Sequence, residues 1–422
     1  MKYGRAGRIF HSHKIIAEKV RKIQDWIWYA AHGIVKIKLQ FIRYRVRWMT
    51  LDNQIWPKEV SEKMKKKMRR VAGRNQDRIP YLAVNGWYED MTERDIYWWT
   101  NGFWGGIMWQ MYHATGEKIY YTEAVKTEDK LEENLRAYRG MDHDSGFKWL
   151  LTAVANYRLT GNETSRNRAL IAANSLAGRF NPAGSFIRAW NDDGDGGRAG
   201  WAIIDCMMNL PLLYWAHEDI HDPRFLQIAQ AHADMAAKTF VREDGSVNHI
   251  VVFDPMTGEV LEALGGQGYG KGSSWTRGQA WALYGFVLSY IHTGKEEYLN
   301  TAKKAAHYFM ANIPESGLIP ADFRQPEDCI WEDGTAAAIA ACGLLEIENN
   351  VTENEKPMYH RAAVKLLKAL DREACWDEEK DYMIEKCTAA FHDEKHNFPM
   401  MYADYFFIEA IWKLCGQESF MW

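Results

Sequence analysis

From about Pro57 onward, hydrophobic and polar positions follow two alternating patterns. In one kind of segment nearly every face is apolar, and in the other the apolar residues recur every three or four positions on one face. The apolar segments cover residues 100–115, 146–160, 200–218, 275–293, 332–348 and 402–416, and the amphipathic segments cover 58–72, 119–138, 164–180, 223–240, 296–313 and 357–374. The first pattern predicts helices buried on all sides, and the second predicts helices that cover them.

Short turns join the two kinds of segment. Thr115-Gly116, Thr160-Gly161 and Thr293-Gly294 each end an apolar segment, and a Gly after a helix supplies the left-handed residue of an αα-hairpin. Twelve helices in six inner–outer pairs can bury their apolar faces by closing into a ring. The pattern therefore predicts an all-α fold, an (α/α)6 barrel, formed by a single domain over residues 51–422.

The loops that precede the inner helices are expected to gather at one end of the ring, where a functional site belongs. The longest are residues 76–97, 181–199 and 241–274. The glycine-rich run 265–272 lacks the spacing and the preceding strand of a phosphate-binding loop. The acidic run from Asn191 resembles the start of a calcium loop, but Ala202 stands where the bidentate Glu belongs.

Charge is distributed unevenly over the 422 residues. Residues 1–50 carry 12 Lys and Arg against Glu18 and Asp25, so the rest of the chain holds 52 − 12 = 40 basic and 56 − 2 = 54 acidic residues, a balance of −14. An acidic body argues against a nucleic-acid partner. We interpret residues 1–50 as a basic N-terminal appendage. A membrane-surface role for this arm is the less favoured interpretation, and no segment is long and apolar enough to span a membrane.

The six cysteines show neither a CxxC pair nor a His at zinc spacing. This arrangement is typical of reduced thiols in a cytoplasmic protein, and we expect neither a metal nor an organic cofactor. A monomer or a homodimer is expected.

One carboxylate interrupts the apolar pattern. The stretch Gly200 to Leu213 has helical periodicity, and Asp205 falls in the middle of its apolar face, although Asp is a poor helix former and is seldom buried without a partner. Asp144 stands at the start of another inner segment, where an ordinary N-cap is the alternative interpretation. The alternative interpretation for Asp205 is that it pairs with an Arg or caps a neighbouring turn.

Other chemistry-bearing residues fall around the same end of the ring. Arg277 and Trp281 are four residues apart and share a helix face, and 14% of the residues are aromatic. A guanidinium that forks a carboxylate, Trp rings that stack on a sugar, and two acids that move protons suit an acidic sugar. The candidate catalytic residues are Asp205 and Asp144, and the candidate substrate-binding residues are Trp99, His143, Trp190, His249, Gln267, Arg277 and Trp281.

Four of these stretches resemble a known family. Trp99-Thr-Asn-Gly-Phe-Trp, His143-Asp-Ser-Gly-Phe, Ile204-Asp-Cys-Met-Met-Asn-Leu-Pro-Leu-Leu and Trp275-Thr-Arg-Gly-Gln-Ala-Trp look like the signatures of the unsaturated glucuronyl hydrolases, glycoside hydrolase family 88. The resemblance extends from about residue 57 to the C-terminus and leaves residues 1–50 unexplained. It implies the same (α/α)6 barrel and a substrate with a non-reducing Δ4,5-unsaturated uronic acid, as polysaccharide lyases leave on glycosaminoglycan fragments.

The resemblance also implies a reaction. Asp205 would donate a proton to C4 of the vinyl ether and then accept one from the water that attacks C5, and Asp144 would bind the sugar hydroxyls. The resulting hemiketal would collapse and release the partner sugar, without a cofactor. A carboxylic acid among apolar side chains suits this role because burial disfavours its anion.

Two other interpretations remain open. The unsaturated rhamnogalacturonyl hydrolases share the barrel and act on pectin fragments, but they usually carry a Trp-Gly-x-Gly-Asn-Gly-Trp type of motif where this chain has Trp275-Thr-Arg-Gly-Gln-Ala-Trp. A non-catalytic sugar-binding toroid is the second alternative. It would not need an acid such as Asp205 in an apolar helix face.

Overall fold

The computed structural model describes residues 55–191, 197–417 and 420–422. Within them, helices alternate as the sequence predicts. The outer helices are α1 (55–74), α3 (Lys118–Ala137), α5 (Glu163–Ala177), α7 (Pro223–Thr239), α9 (Glu296–Ala311) and α11 (Lys356–Glu373). The inner helices are α2 (Asn101–Thr115), α4 (Ser145–Trp149, continued by the π-helical Leu150–Val154 and by Ala155–Thr160), α6 (Pro211–Ile220), α8 (Thr276–Thr293), α10 (Gly334–Asn349) and α12 (Met401–Leu414).

The inner helices form a closed ring. Each packs against the next in chain order, and α12 packs back against α2, while each of α3, α5, α7, α9 and α11 covers the inner helix before it. The first outer helix reaches the last inner one, since the Lys65 ammonium lies 5.7 Å from the ring centroid of Trp412. The predicted (α/α)6 barrel is confirmed.

Burial follows the two hydrophobic patterns. In α8 every residue from Thr276 to Ser289 is buried, whereas α11 buries only one face. The predicted Thr-Gly junctions are also confirmed, because Gly116, Gly161 and Gly294 adopt left-handed backbone with φ of 71°, 72° and 68°.

The three longest loops contain short strands that the sequence analysis did not predict. All the pairings are antiparallel, and the strands flank the loops that carry the candidate site. The strands are β1 (Pro80–Val84), β2 (Trp87–Asp90), β3 (Phe180–Asn181), β4 (Phe186–Ile187), β5 (Trp201–Ile203), β6 (Ile250–Phe253) and β7 (Val260–Leu264), paired as β1-β2, β3-β4 and β5-β6-β7.

The prediction of one helix from Gly200 to Leu213 is wrong. Strand β5 comes first, a 3-10 helix Ile204–Met208 follows, and α6 begins only at Pro211. Proline lacks an N–H and fits the first turn of a helix but not its interior. Gly200 lies so close to the backbone of Phe253 that a Cβ would come within 1.8 Å of its carbonyl oxygen. Asp205 therefore lies in the first turn of a 3-10 helix that follows a strand, not in the middle of an α-helix.

Two predictions fall outside the described residues. They are the basic appendage over residues 1–50 and most of the acidic run after Asn191, of which 192–196 are not described. The chain divides into the units Met1–Lys58 and Glu59–Trp422, and the site described below belongs to the second. The domain boundary at residue 50 stays a prediction. None of the described helices is long and apolar enough to cross a membrane.

Candidate active site

A cavity of about 1260 Å³ opens at the end of the barrel where the loops before the inner helices meet. Seven of the nine candidate site residues line it. They are Trp99, His143, Asp144, Trp190, Asp205, Gln267 and Arg277. His249 and Trp281 are not among its lining residues.

Asp205 is a largely buried carboxyl group in the lining of the cavity. Its side chain is 14% exposed, and its Oδ1 is buried without a hydrogen-bond partner among the described residues. Burial raises the pKa of Asp205 to about 7, the imidazolium of His143 opposes this shift, and the carboxylate of Asp144 adds to it. Asp205 therefore holds a proton close to neutral pH and lines the cavity where a ligand would bind.

Asp144 is paired with His143. It occupies the N-cap position of α4, as the alternative interpretation had it, but its side chain makes no capping hydrogen bond. Instead a carboxylate oxygen lies 3.4 Å from Nε2 of His143. Burial lowers the pKa of His143, but the adjacent carboxylate outweighs this effect and keeps the pKa well above its ordinary value. The pair thus places an imidazolium beside Asp205.

Asn209 forms hydrogen bonds with both of the elements that carry the two acids. It was not predicted from the sequence. Its Oδ1 accepts a hydrogen bond of 2.7 Å from the backbone N–H of Phe147, and its Nδ2 donates to a carboxylate oxygen of Asp144 at 3.4 Å and to the backbone carbonyl of Asp205 at 3.3 Å. The one sequence feature that could have identified Asn209 is its position four residues after Asp205. The relative placement of the two acids depends on this amide.

Lys148 was also missed. Its fully buried ammonium donates to the backbone carbonyls of Gly140 and Tyr97 and to Oδ1 of Asn134. Burial lowers its pKa, while the carboxylates of Asp142 and Asp144 act in the opposite direction. In the sequence this Lys stands between Phe147 and Trp149 with nothing to distinguish it from a solvated residue.

His249 lies behind Asp205 and does not line the cavity. Its Nδ1 accepts the backbone N–H of Gln267 at 2.9 Å, which assigns the remaining proton to Nε2. That nitrogen lies 3.8 Å from Oδ1 of Asp205. Burial lowers the pKa of His249 to about 3, so it faces the acid as a neutral ring. This differs from the expected direct contact with substrate.

Arg277 is held in the cavity wall. Its Nε donates to Asp333 at 2.9 Å, Nη1 donates to the Tyr402 hydroxyl, and Nη2 donates to the carbonyls of Thr388 and Ala389. Four of its five N–H groups are therefore used within the protein. The expected two-pronged fork around a substrate carboxylate is not available without displacing one of these partners.

The predicted aromatic residues divide into two groups. Trp99 and Trp190 line the cavity. Trp281 is fully buried, and its ring lies 5.1 Å from that of Phe147, which in turn lies 5.7 Å from Trp99. The prediction that Trp281 faces the substrate is wrong, because four residues along α8 carry it one turn deeper than Arg277. Trp281 packs against Phe147, and Phe147 packs against Trp99.

The mouth of the barrel thus combines a protonated acid, a paired carboxylate, a buried cation and partly buried aromatic rings. An acid with a pKa near 7 can donate a proton to substrate and accept one back at neutral pH. The charge of Arg277 suits an anionic substrate group close to that acid.

Known proteins resemble this chain in sequence and in fold. The profile of Glycosyl Hydrolase Family 88 matches residues 68–408. The unsaturated glucuronyl hydrolase of Bacillus sp. (strain GL1) is 38% identical over 75% of this chain and 86% of that protein. The unsaturated chondroitin disaccharide hydrolase of Streptococcus pneumoniae (strain ATCC BAA-255 / R6) is 32% identical over 64% of this chain and 69% of that protein.

A solved structure of the unsaturated glucuronyl hydrolase from Bacillus sp. GL1, responsible for the degradation of glycosaminoglycan, superposes with a TM-score of 0.79 at 34% identity. The superposition covers 84% of this chain and 95% of that structure. The family profile spans most of the barrel, and the fold of the solved structure agrees with it. This chain is a glycoside hydrolase and belongs to glycoside hydrolase family 88.

Proposed function

We propose that this enzyme removes the non-reducing Δ4,5-unsaturated glucuronic acid from lyase-generated glycosaminoglycan oligosaccharides by hydrating the vinyl ether. The observation that carries the proposal is Asp205, a carboxyl group in the cavity lining with a pKa of about 7, whose buried Oδ1 has no hydrogen-bond partner among the described residues. A direct attack on the glycosidic bond would call for two acids in distinct roles flanking that bond. Here one carboxyl group serves as both acid and base.

The reaction proceeds in two proton transfers. Asp205 gives its proton to C4, the C4–C5 π electrons form the new C–H bond, and positive charge develops on C5 and the ring oxygen. Water then attacks C5 while the Asp205 carboxylate takes its proton, which restores the acid. The hemiketal opens and expels the partner sugar. His143 and Arg277 place positive charge near the carboxylate during the interval in which Asp205 is an anion.

Recognition of the uronate uses the remaining lining residues. We place the sugar ring against Trp99 and Trp190, which present aromatic surface to the cavity. Arg277 contributes its charge and the one N–H group on Nη1 that the protein does not use. Gln267 is held by its side-chain amide, which donates to the Ala389 carbonyl at 2.9 Å, so its Oε1 can accept from a sugar hydroxyl. Asp144 accepts hydrogen bonds from hydroxyl groups of the sugar.

The experiment that tests the proposal follows carbon protonation directly. In heavy water the wild-type enzyme should place one deuterium at C4 of the released uronate, and a saturated glucuronide of the same linkage should not be turned over. The Asp205→Asn variant should lose a factor of about 10²–10⁴ in kcat and still bind substrate. A product without deuterium at C4, or comparable turnover of the saturated glucuronide, would contradict the proposed chemistry.

We also propose that the enzyme works in the cytoplasm. Its six cysteines all fall within the described residues and none forms a disulfide, which favours a reducing compartment. Lyase products of low molecular mass would then have to be imported before this step.

A further inference from the structure

The cavity exceeds what the reacting sugar and its neighbour need. Its volume of about 1260 Å³ lies above the range of roughly 300–1,000 Å³ that holds most small ligands. The proposed reaction uses two basic side chains of its lining, those of His143 and Arg277. The basic lining residues outside that reaction are Arg94, Arg139, Arg198 and Lys395.

The four basic residues outside the proposed reaction differ in how their charges are balanced. Arg94 donates to Glu89 at 2.6 Å. Lys395 follows Asp393 and Glu394, and both acids line the same cavity. The guanidinium groups of Arg139 and Arg198, in contrast, form no hydrogen bond or ion pair with the residues that the structure describes.

Both guanidinium groups are nevertheless positioned. Arg139 lies over the ring of Tyr97 with its Cζ 4.5 Å from the ring centroid, and Arg198 lies over Trp190 at 5.3 Å and Trp201 at 6.0 Å. Cation–π stacking fixes the plane of a guanidinium and leaves its N–H edges free for a ligand. Each Arg therefore presents ordered but unused donors to the cavity.

The loops that carry these two residues are tied together. The backbone N–H of His143 donates to the carbonyl of Ala189 at 3.1 Å. Arg179 strengthens the connection, because its Nη1 donates both to the carbonyl of Met141 at 3.0 Å and to Oδ1 of Asn191 at 2.6 Å. Residues 141–143, which follow Arg139, and residues 189–191 are thus held together.

We infer that Arg139 and Arg198 form a subsite for an anionic group on the part of the oligosaccharide beyond the scissile linkage. The group is the carboxylate of a further uronate or a sulfate ester, since the edge of a guanidinium binds either by donating paired hydrogen bonds. This inference rests on the proposed function, because only an oligosaccharide of this class carries such a group past the reacting uronate. The subsite favours charged oligosaccharides over the simplest disaccharide.

Three unsaturated substrates test the inference. They are an unsulfated disaccharide, the tetrasaccharide of the same repeat, and the disaccharide with a sulfate ester on its second sugar. For each, kcat/KM is measured from the loss of alkene absorbance, with wild-type enzyme and with the Arg139→Gln/Arg198→Gln double variant. Arg136→Gln is the matched control, because Arg136 is exposed, pairs with Glu132 and does not line the cavity.

The double variant should keep the wild-type rate on the unsulfated disaccharide and lose about tenfold on a substrate with the bound anion. High salt should likewise reduce the preference of the wild-type enzyme for the substrate with the bound anion. A loss confined to the tetrasaccharide identifies a uronate carboxylate, and a loss on the sulfated disaccharide identifies a sulfate ester. Arg139→Lys should lose part of the preference, because an ammonium keeps the charge without the planar stacking.

Equal losses on all three substrates, no loss on either charged substrate, or the same loss in Arg136→Gln would overturn the inference. Wild-type enzyme that turns over none of the three would instead contradict the proposed function. The two failures are therefore distinguishable, and because both arginines are exposed, folding of the variants is not at issue.

Discussion

Arg277 uses four of its five N–H groups in the cavity wall, and we propose that the fifth contacts the substrate. Replacing it with Lys keeps the charge, but one ammonium cannot reach Asp333, Tyr402 and the 388–389 carbonyls together. We expect Arg277→Lys to lower the free energy of unfolding by about 1–3 kcal/mol and to raise KM for an unsaturated disaccharide. Denaturant unfolding and steady-state kinetics on the same preparation measure both effects.

The control is Arg136→Lys, a change at an exposed residue on α3 that should leave both quantities unchanged. An unchanged KM in Arg277→Lys would move the uronate carboxylate to another part of the cavity. A raised KM with undisturbed unfolding would mean that the wall contacts contribute little to stability.

Single residues also show what spacing in a sequence can and cannot reveal. Asp205 and Asp144 could be predicted because an acid in an apolar context needs a reason. The i and i+4 spacing correctly placed Arg277 and Trp281 on one face but gave no information on depth, so Trp281 was assigned to the cavity although it is fully buried. Asn209 and Lys148 were missed because their roles depend on partners distant in sequence.

At the scale of secondary-structure elements, the contact between α4 and the 3-10 helix Ile204–Met208 sets the geometry of the two acids. Gly146 faces Asn209 so closely that a Cβ would lie 2.5 Å from its Cα. We expect Gly146→Ala to push the two elements apart, to destabilise the protein by about 1–3 kcal/mol, and to lower kcat by displacing Asp205 from Asp144.

Thermal unfolding and kcat for the same variant check this prediction. Gly73→Ala is the matched control, since no atom lies within 4 Å of the added Cβ and Ala is the better helix former. That variant should be as stable as wild type or more stable. Wild-type kcat in Gly146→Ala would show that the two acids tolerate a shift between their elements.

The helices were predictable because each obeys its own hydrophobic period. The barrel followed from their alternation, and the left-handed Gly at three junctions marked where helices end. The short strands were not predictable, since β5 has three residues and its partner β6 begins 47 residues later at Ile250. The periodicity of the apolar run from Gly200 to Leu213 indicates a helix, but the pairing of β5 with β6 overrode this local pattern.

At the scale of the whole molecule, the barrel gathers charges of both signs around one titrating carboxyl group. Asp205 faces His143, Asp144, Arg277 and the neutral ring of His249. The positive charges lower its pKa and the neighbouring carboxylate raises it, but burial is the largest effect and leaves the pKa at about 7. The active protonation state of the enzyme is therefore set by the closed ring of helices that excludes water from this oxygen.

The sign of this shift predicts the pH profile. Because the proposed reaction needs Asp205 protonated, kcat/KM should stay constant at pH values below about 7. Above that pH it should fall about tenfold for each pH unit. His143→Gln removes a cation that favours the anion of Asp205, so the alkaline limb should move to higher pH even if the maximal rate drops. Arg136→Gln, which changes a surface charge outside the cavity, should leave the limb in place. A limb that stays fixed in His143→Gln, or moves to lower pH, would mean that a group other than Asp205 limits the rate at alkaline pH.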